Sequence, residues 1–167
     1  ICAQLGDRVL LVDTDLHRPR QHKILGISNS VGVANILLGE KTVDEAILTT
    51  KMSNLDVLTS GRSAAGVHGL LDTRRMKELV AELRQRYDLV MFDGPPIIGV
   101  SDASLLVREV DGVLLVIQHR KYPASVSQRA YGAYLAVSQW SDEMPKRFIS
   151  SVPAQSITTW KKPSVGP

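Results

Sequence analysis

Three stretches of the chain are apolar at every position instead of at alternate ones: VLLV at 9–12, LVMF at 89–92 and VLLVI at 113–117. Unbroken apolar runs of this length predict strands covered on both faces, as in a parallel sheet packed between helices. NLDVLTSG, 54–61, supplies a further short strand. Between the strands the spacing changes to that of helices. In Leu71–Tyr87, the residues Met76, Leu79, Val80 and Leu83 follow i, i+3, i+4, i+7, with Asp72 or Thr73 available as N-cap. Ser101–Val110 reads as a short helix, and Pro123–Trp140 as a longer one with proline in its first turn. VGVANILLG and TVDEAIL read as small helices ahead of the 54–61 strand. Strand, helix, strand, helix, strand predicts an α/β fold, a mostly parallel sheet with helices on both faces. Arg147–Pro153 is the expected last strand, and 153–167 is expected to be an irregular tail after one domain over 1–152.

Two of the strands end in carboxylates. VLLV runs into Asp13 and Asp15, and VMF runs into Asp93, followed by Gly94, Pro95 and Pro96. If the chain is still extended past Val12, the side chains of Asp13 and Asp15 point to the same side. Carboxylates this close repel unless a cation lies near, and open α/β sheets bind ligands at the carboxyl ends of their strands. A magnesium-nucleotide site is one reading of D-x-D. A solvated turn is the other. The second strand narrows the choice, because an apolar strand ending in Asp is the Walker B pattern.

Composition changes this picture little. A chain of 167 residues suffices for one domain with a real core, and a formal net charge of +3 does not by itself argue for nucleic acid. The single cysteine, Cys2, excludes an internal disulfide and agrees with a reducing cytoplasm. No apolar run reaches transmembrane length. His68 and His119 have no partner at metal-site spacing and read as surface residues.

The segments VLLVDTDLHRP (9–19), YDLVMFDGPP (87–96) and SDASLLVREVDGVLLVI (101–117), with VGVANILLGEKTVDEAI and LDVLTSGR between them, resemble the bacterial tyrosine kinases of capsule and exopolysaccharide assembly. Those kinases lie within the MinD/ParA-like P-loop ATPases. The resemblance covers about the first four-fifths of the chain. It implies a P-loop fold with ATP and Mg2+ as ligands. Asp13 and Asp15 match the Walker A′ carboxylates, Arg18 and Pro19 the basic end of that motif, and Asp93 the Walker B carboxylate. By that match, Asp13, Asp15 and Asp93 are the catalytic candidates. Asp13, Asp15, Arg18 and Asp93 are the nucleotide-binding candidates, and Asp13 and Asp93 the metal candidates. The implied substrate is tyrosine on neighbouring copies in a ring-shaped homo-oligomer at the cytoplasmic face of the membrane. A membrane-bound activator or a fused membrane domain is the implied partner, and nucleic acid is not.

The chain also departs from that family. It holds no G-x-x-x-x-G-K-[ST] loop, whose N–H groups and lysine cradle phosphates. In the family that loop lies upstream of the Walker A′ strand. ICAQLGDR reads as the end of the following helix, so truncation is expected, with phosphoryl transfer absent from this stretch alone. The terminal tyrosine cluster is missing. Of the tyrosines present, Tyr87 reads as structural, while Tyr131 and Tyr134 share a helix face. GVHGLL, 66–71, replaces the family's Asn-Pro-x-Glu-Leu-Leu type segment, and His17 stands where Arg is common. Two other functions therefore stay open. One is a partition or septum-placement ATPase, the other a catalytically dead regulatory module of the same fold.

Overall fold

The computed structural model describes residues 1–62, 71, 74–95, 106, 109–116 and 156–161. A six-stranded sheet is its centre, in the order β2-β3-β1-β4-β6-β5. Strand β1 spans Val9–Asp13, β2 Ile47–Thr49, β3 Leu55–Leu58, β4 Leu89–Gly94, β5 Gly112–Val116 and β6 Ser156–Lys161. Strand β1 pairs in parallel with β3 on one side and β4 on the other. Strand β2 is antiparallel to β3, and β6 is antiparallel to both β4 and β5.

The unbroken apolar runs behave as their burial requires. In β1, Val9, Leu10 and Val12 are all buried. Leu10, Val12, Leu58, Val90 and Phe92 join one core cluster. Helices α2 (Val33–Leu38), α3 (Val43–Ala46) and α4 (Arg74–Arg86) contribute to the same cluster. Met76, Leu79, Val80 and Leu83, the predicted stripe of α4, are its buried side chains. Val9 and Val57 are buried as well, on the other face of the sheet. Thr42 caps α3 through its hydroxyl, which accepts the Glu45 N–H at 3.3 Å, while the Glu45 carboxylate accepts the Thr42 N–H at 2.9 Å.

Helix α2 is seated by backbone. The N–H groups of Val33 and Ala34 donate to the carbonyls of Thr59 (2.8 Å) and Ser60 (2.9 Å), just past β3. Asn29 locks the same junction, its Oδ1 accepting the Gly61 N–H at 3.0 Å and the Ser60 hydroxyl at 3.1 Å. Only a glycine fits at position 32, where a Cβ would lie 2.1 Å from the Thr59 carbonyl oxygen.

Two local expectations are corrected. TVDEAIL is helical only to Ala46, after which β-branched Ile47 starts the edge strand β2. Residues 153–167 are not irregular throughout, because Ser156–Lys161 is a strand inserted between β4 and β5. Ile157, Thr158, Thr159 and Trp160 are β-branched or aromatic, and that local preference outweighs the lysines that follow. The N-terminal ICAQLG ends in a short 3-10 turn, Ala3–Leu5, closed by Gly6 at a φ of 108°. The strand expected at 147–153, the helix over 123–140 and nearly all of 101–110 lie outside the described residues.

Candidate functional site

Strand β1 lies between β3 and β4 and runs parallel to both. Open α/β sheets bind ligands in the crevice beyond the carboxyl ends of such strands. Asp13 and Asp93 are the terminal register pair of β1 and β4 at that edge. Thr14 fastens the two strand ends, since its N–H and its hydroxyl both donate to the Asp93 carbonyl at 2.9 Å.

Strand β1 ends at Asp13, and Asp13 organises the loop that follows it. Its Oδ1 accepts the Asp15 N–H at 3.2 Å, and its Oδ2 accepts the N–H groups of Arg20 and Gln21, each at 3.1 Å. Asp15 repeats the device one turn later, accepting the N–H groups of His17 (3.2 Å) and Arg18 (2.9 Å) on Oδ1. Short carboxylate side chains commonly bond backbone a few residues on, which explains how the segment 13–21 folds back over the sheet edge. Arg18 is exposed on that loop, while Leu16 is buried beneath it.

The loop ends in α1, Gln21–Leu25. From its first residue the Gln21 amide reaches across to β4 and donates to Asp93 Oδ2 at 2.6 Å. Gln21 thus bonds both strand-end carboxylates, one by backbone and one by side chain. Neither Gln21 nor Thr14 was marked by the sequence. A glutamine eight positions past an aspartate has no pattern, and only the turn that follows Asp13 brings it home.

Burial dominates the electrostatics. It pushes the carboxyl groups of Asp13 and Asp93 above the ordinary aspartate range. For Asp13 the three backbone N–H groups oppose that shift, and the Asp93 charge reinforces it. For Asp93 the Gln21 amide opposes it, and the charge of Asp15 reinforces it. The edge is therefore acidic, partly dehydrated and self-repelling.

The structure brings together Asp13, Asp15 and Asp93 from the predicted set. No group of three or more His, Cys, Asp or Glu side chains among the described residues forms a metal centre. The pair suits a different kind of ion. Mg2+ takes one or two carboxylates and fills its remaining positions with water and phosphate oxygens. Asp93 Oδ1 accepts no donor among the described residues, so this carboxylate has an oxygen to offer. Tyr87, by contrast, is structural as expected. Its hydroxyl donates to Asp56 Oδ2 at 2.9 Å, and burial raises its pKa. Tyr122, Tyr131, Tyr134 and most of GVHGLL lie outside the described residues.

Comparison with known proteins shows the family and the fold. The AAA domain family model matches residues 1–129. The chain is 40% identical over 121 residues to tyrosine-protein kinase YwqD of Bacillus subtilis (strain 168), a match covering 72% of this chain and 51% of that protein. It is 34% identical over 119 residues to tyrosine-protein kinase wzc of Salmonella typhi, covering 71% of this chain and 17% of the relative. The chain thus spans about half the length of the first of these relatives and much less of the second. Among solved structures, the kinase domain of Escherichia coli tyrosine kinase ETK matches with a TM-score of 0.79 at 29% identity, over 90% of this chain and 58% of that one. The septum site-determining protein MinD of Pyrococcus horikoshii OT3, complexed with Mg-ADP, matches with a TM-score of 0.64 at 18% identity, over 91% and 71% respectively, a likeness of fold alone. The chain belongs to the AAA domain family, with the P-loop NTPase fold, and its relatives there are bacterial tyrosine-protein kinases.

Proposed function

We propose that this chain is the nucleotide-binding part of an ATP-dependent protein-tyrosine autokinase that regulates capsular and exopolysaccharide synthesis and export. One observation carries the reading: Asp13 and Asp93 are paired in register at the carboxyl edge of adjacent parallel strands, in a chain whose relatives are tyrosine-protein kinases. Asp13 and Asp93 are the residues that hold Mg2+ with the nucleotide. Bound there, Mg2+ supplies the positive charge that neutralises the phosphate oxygens during transfer. The residues divide the remaining work by their surroundings. Asp13 is buried and fixed by three N–H donors, which suits a carboxylate that must not move. Asp15 is half-buried at the loop surface, so it is the carboxylate that an incoming tyrosine hydroxyl reaches and the one that accepts its proton. Arg18, exposed on the same loop, attracts the phosphate charge.

The acceptor tyrosines belong to neighbouring copies in a homo-oligomeric ring, activated from the membrane either by a separate protein or by a domain on the same chain. The test adds ATP and Mg2+ to the full-length protein and probes for phosphotyrosine. Signal in the parent, lost in Asp13→Ala and in Asp93→Ala, is the expected result. Aspartate-dependent ATP hydrolysis without phosphotyrosine would instead identify a partition-type ATPase, and neither activity would identify a regulatory module.

A further inference from the structure

Among the described residues, Gln21 alone bonds both strand-end carboxylates, and it does so with two chemically different donors. Its backbone N–H goes to Asp13 Oδ2 at 3.1 Å and its side-chain amide to Asp93 Oδ2 at 2.6 Å. The backbone bond depends only on the path of the loop, so almost any residue could make it. The amide bond depends on a donor of glutamine length at this position. It is made to the less restrained partner: Asp13 has three N–H donors, whereas Asp93 has this amide alone among the described residues. A half-buried carboxylate with one free oxygen can turn about its final torsion, and a single bond to the other oxygen stops that turning.

We propose that Gln21 is a positioning residue for the divalent cation. Its amide occupies Asp93 Oδ2 and thereby aims Oδ1 into the crevice, while its N–H ties the same residue to Asp13. The loop 13–21 and strand β4 then present one preorganised acidic edge. Ligating carboxylates are commonly oriented in this way by a hydrogen-bonded neighbour, and loss of the neighbour typically lowers metal affinity by 10–100-fold. The inference rests on the reading that Asp93 meets Mg2+, and the experiment separates the two.

In the full-length protein, binding of a fluorescent ADP analogue is followed as Mg2+ is titrated, and again in EDTA. The variants are Gln21→Met, which keeps length and the backbone donor but removes the amide, and Gln21→Asn, whose amide is one methylene short. Both are expected to stay folded in EDTA and to raise the half-saturating Mg2+ concentration by about 10–100-fold while leaving affinity in EDTA as in the parent. Unchanged Mg2+ dependence in both variants, with the dependence abolished by Asp93→Ala, overturns the role of Gln21. So does an equal loss of nucleotide affinity with and without Mg2+, which marks Gln21 as packing only. If Asp93→Ala also leaves the Mg2+ dependence intact, it is the cation reading itself that has failed.

Discussion

Two aspartates are held at one dehydrated sheet edge, and without a cation each is less stable there than in water. Burial raises both of their pKa values in the folded state. A carboxyl whose folded pKa is raised binds its proton more tightly when folded. Its ionisation therefore opposes folding: the protein is favoured below the unfolded pKa, and that advantage is lost as pH rises through the folded value. Asp93→Asn removes the ionisation and keeps an oxygen to accept the Gln21 amide. The variant should therefore unfold at a higher temperature than the parent near neutral pH in EDTA. The gain should shrink as the pH is lowered through the carboxyl range, and scanning calorimetry across pH reads it directly. A variant less stable than the parent at neutral pH would mean that the carboxylate is satisfied by a partner other than Gln21. Stability of this kind is commonly given up at sites that need charge in place for chemistry.

At the scale of elements, the junction of α2 with the end of β3 has no slack. Gly32→Ala would place a methyl group against the Thr59 carbonyl and the Gly61 N–H, which are backbone atoms that cannot swing aside. The substitution should cost about 1–3 kcal/mol or more, read as a lower urea midpoint, although φ at Gly32 is extended and open to any residue. The strands and α4 were legible because periodicity reports burial directly: three of the four residues VLLV are buried, and the stripe on α4 is its buried side. Strand β6 was not legible, because its pairing with β4 and β5 is set by segments far away in sequence. Helix α1 was hidden too. It is five residues long, lacks a buried residue, and starts where the Asp13 bonds to Arg20 and Gln21 end the preceding loop.

For the whole molecule, the acidic edge is a product of topology. Parallel pairing of β1 with β4 sets Asp13 opposite Asp93 although 80 positions separate them in the chain. Both aspartates were visible in sequence as ends of apolar runs. Their bridging by Thr14 and Gln21 was not, because hydrogen bonds between a loop and a distant strand leave no periodic trace. If the pair works as one unit, its members cannot contribute independently, and groups that act together in catalysis show strongly non-additive losses. The decisive measurement is a double-mutant cycle on phosphotyrosine formation in the full-length protein, with Asp13→Ala, Asp93→Ala and the double variant compared at saturating Mg2+ and ATP. The double variant should be scarcely slower than the worse single one. Losses that simply multiply would show that the two carboxylates act separately, and would contradict a shared site at this edge.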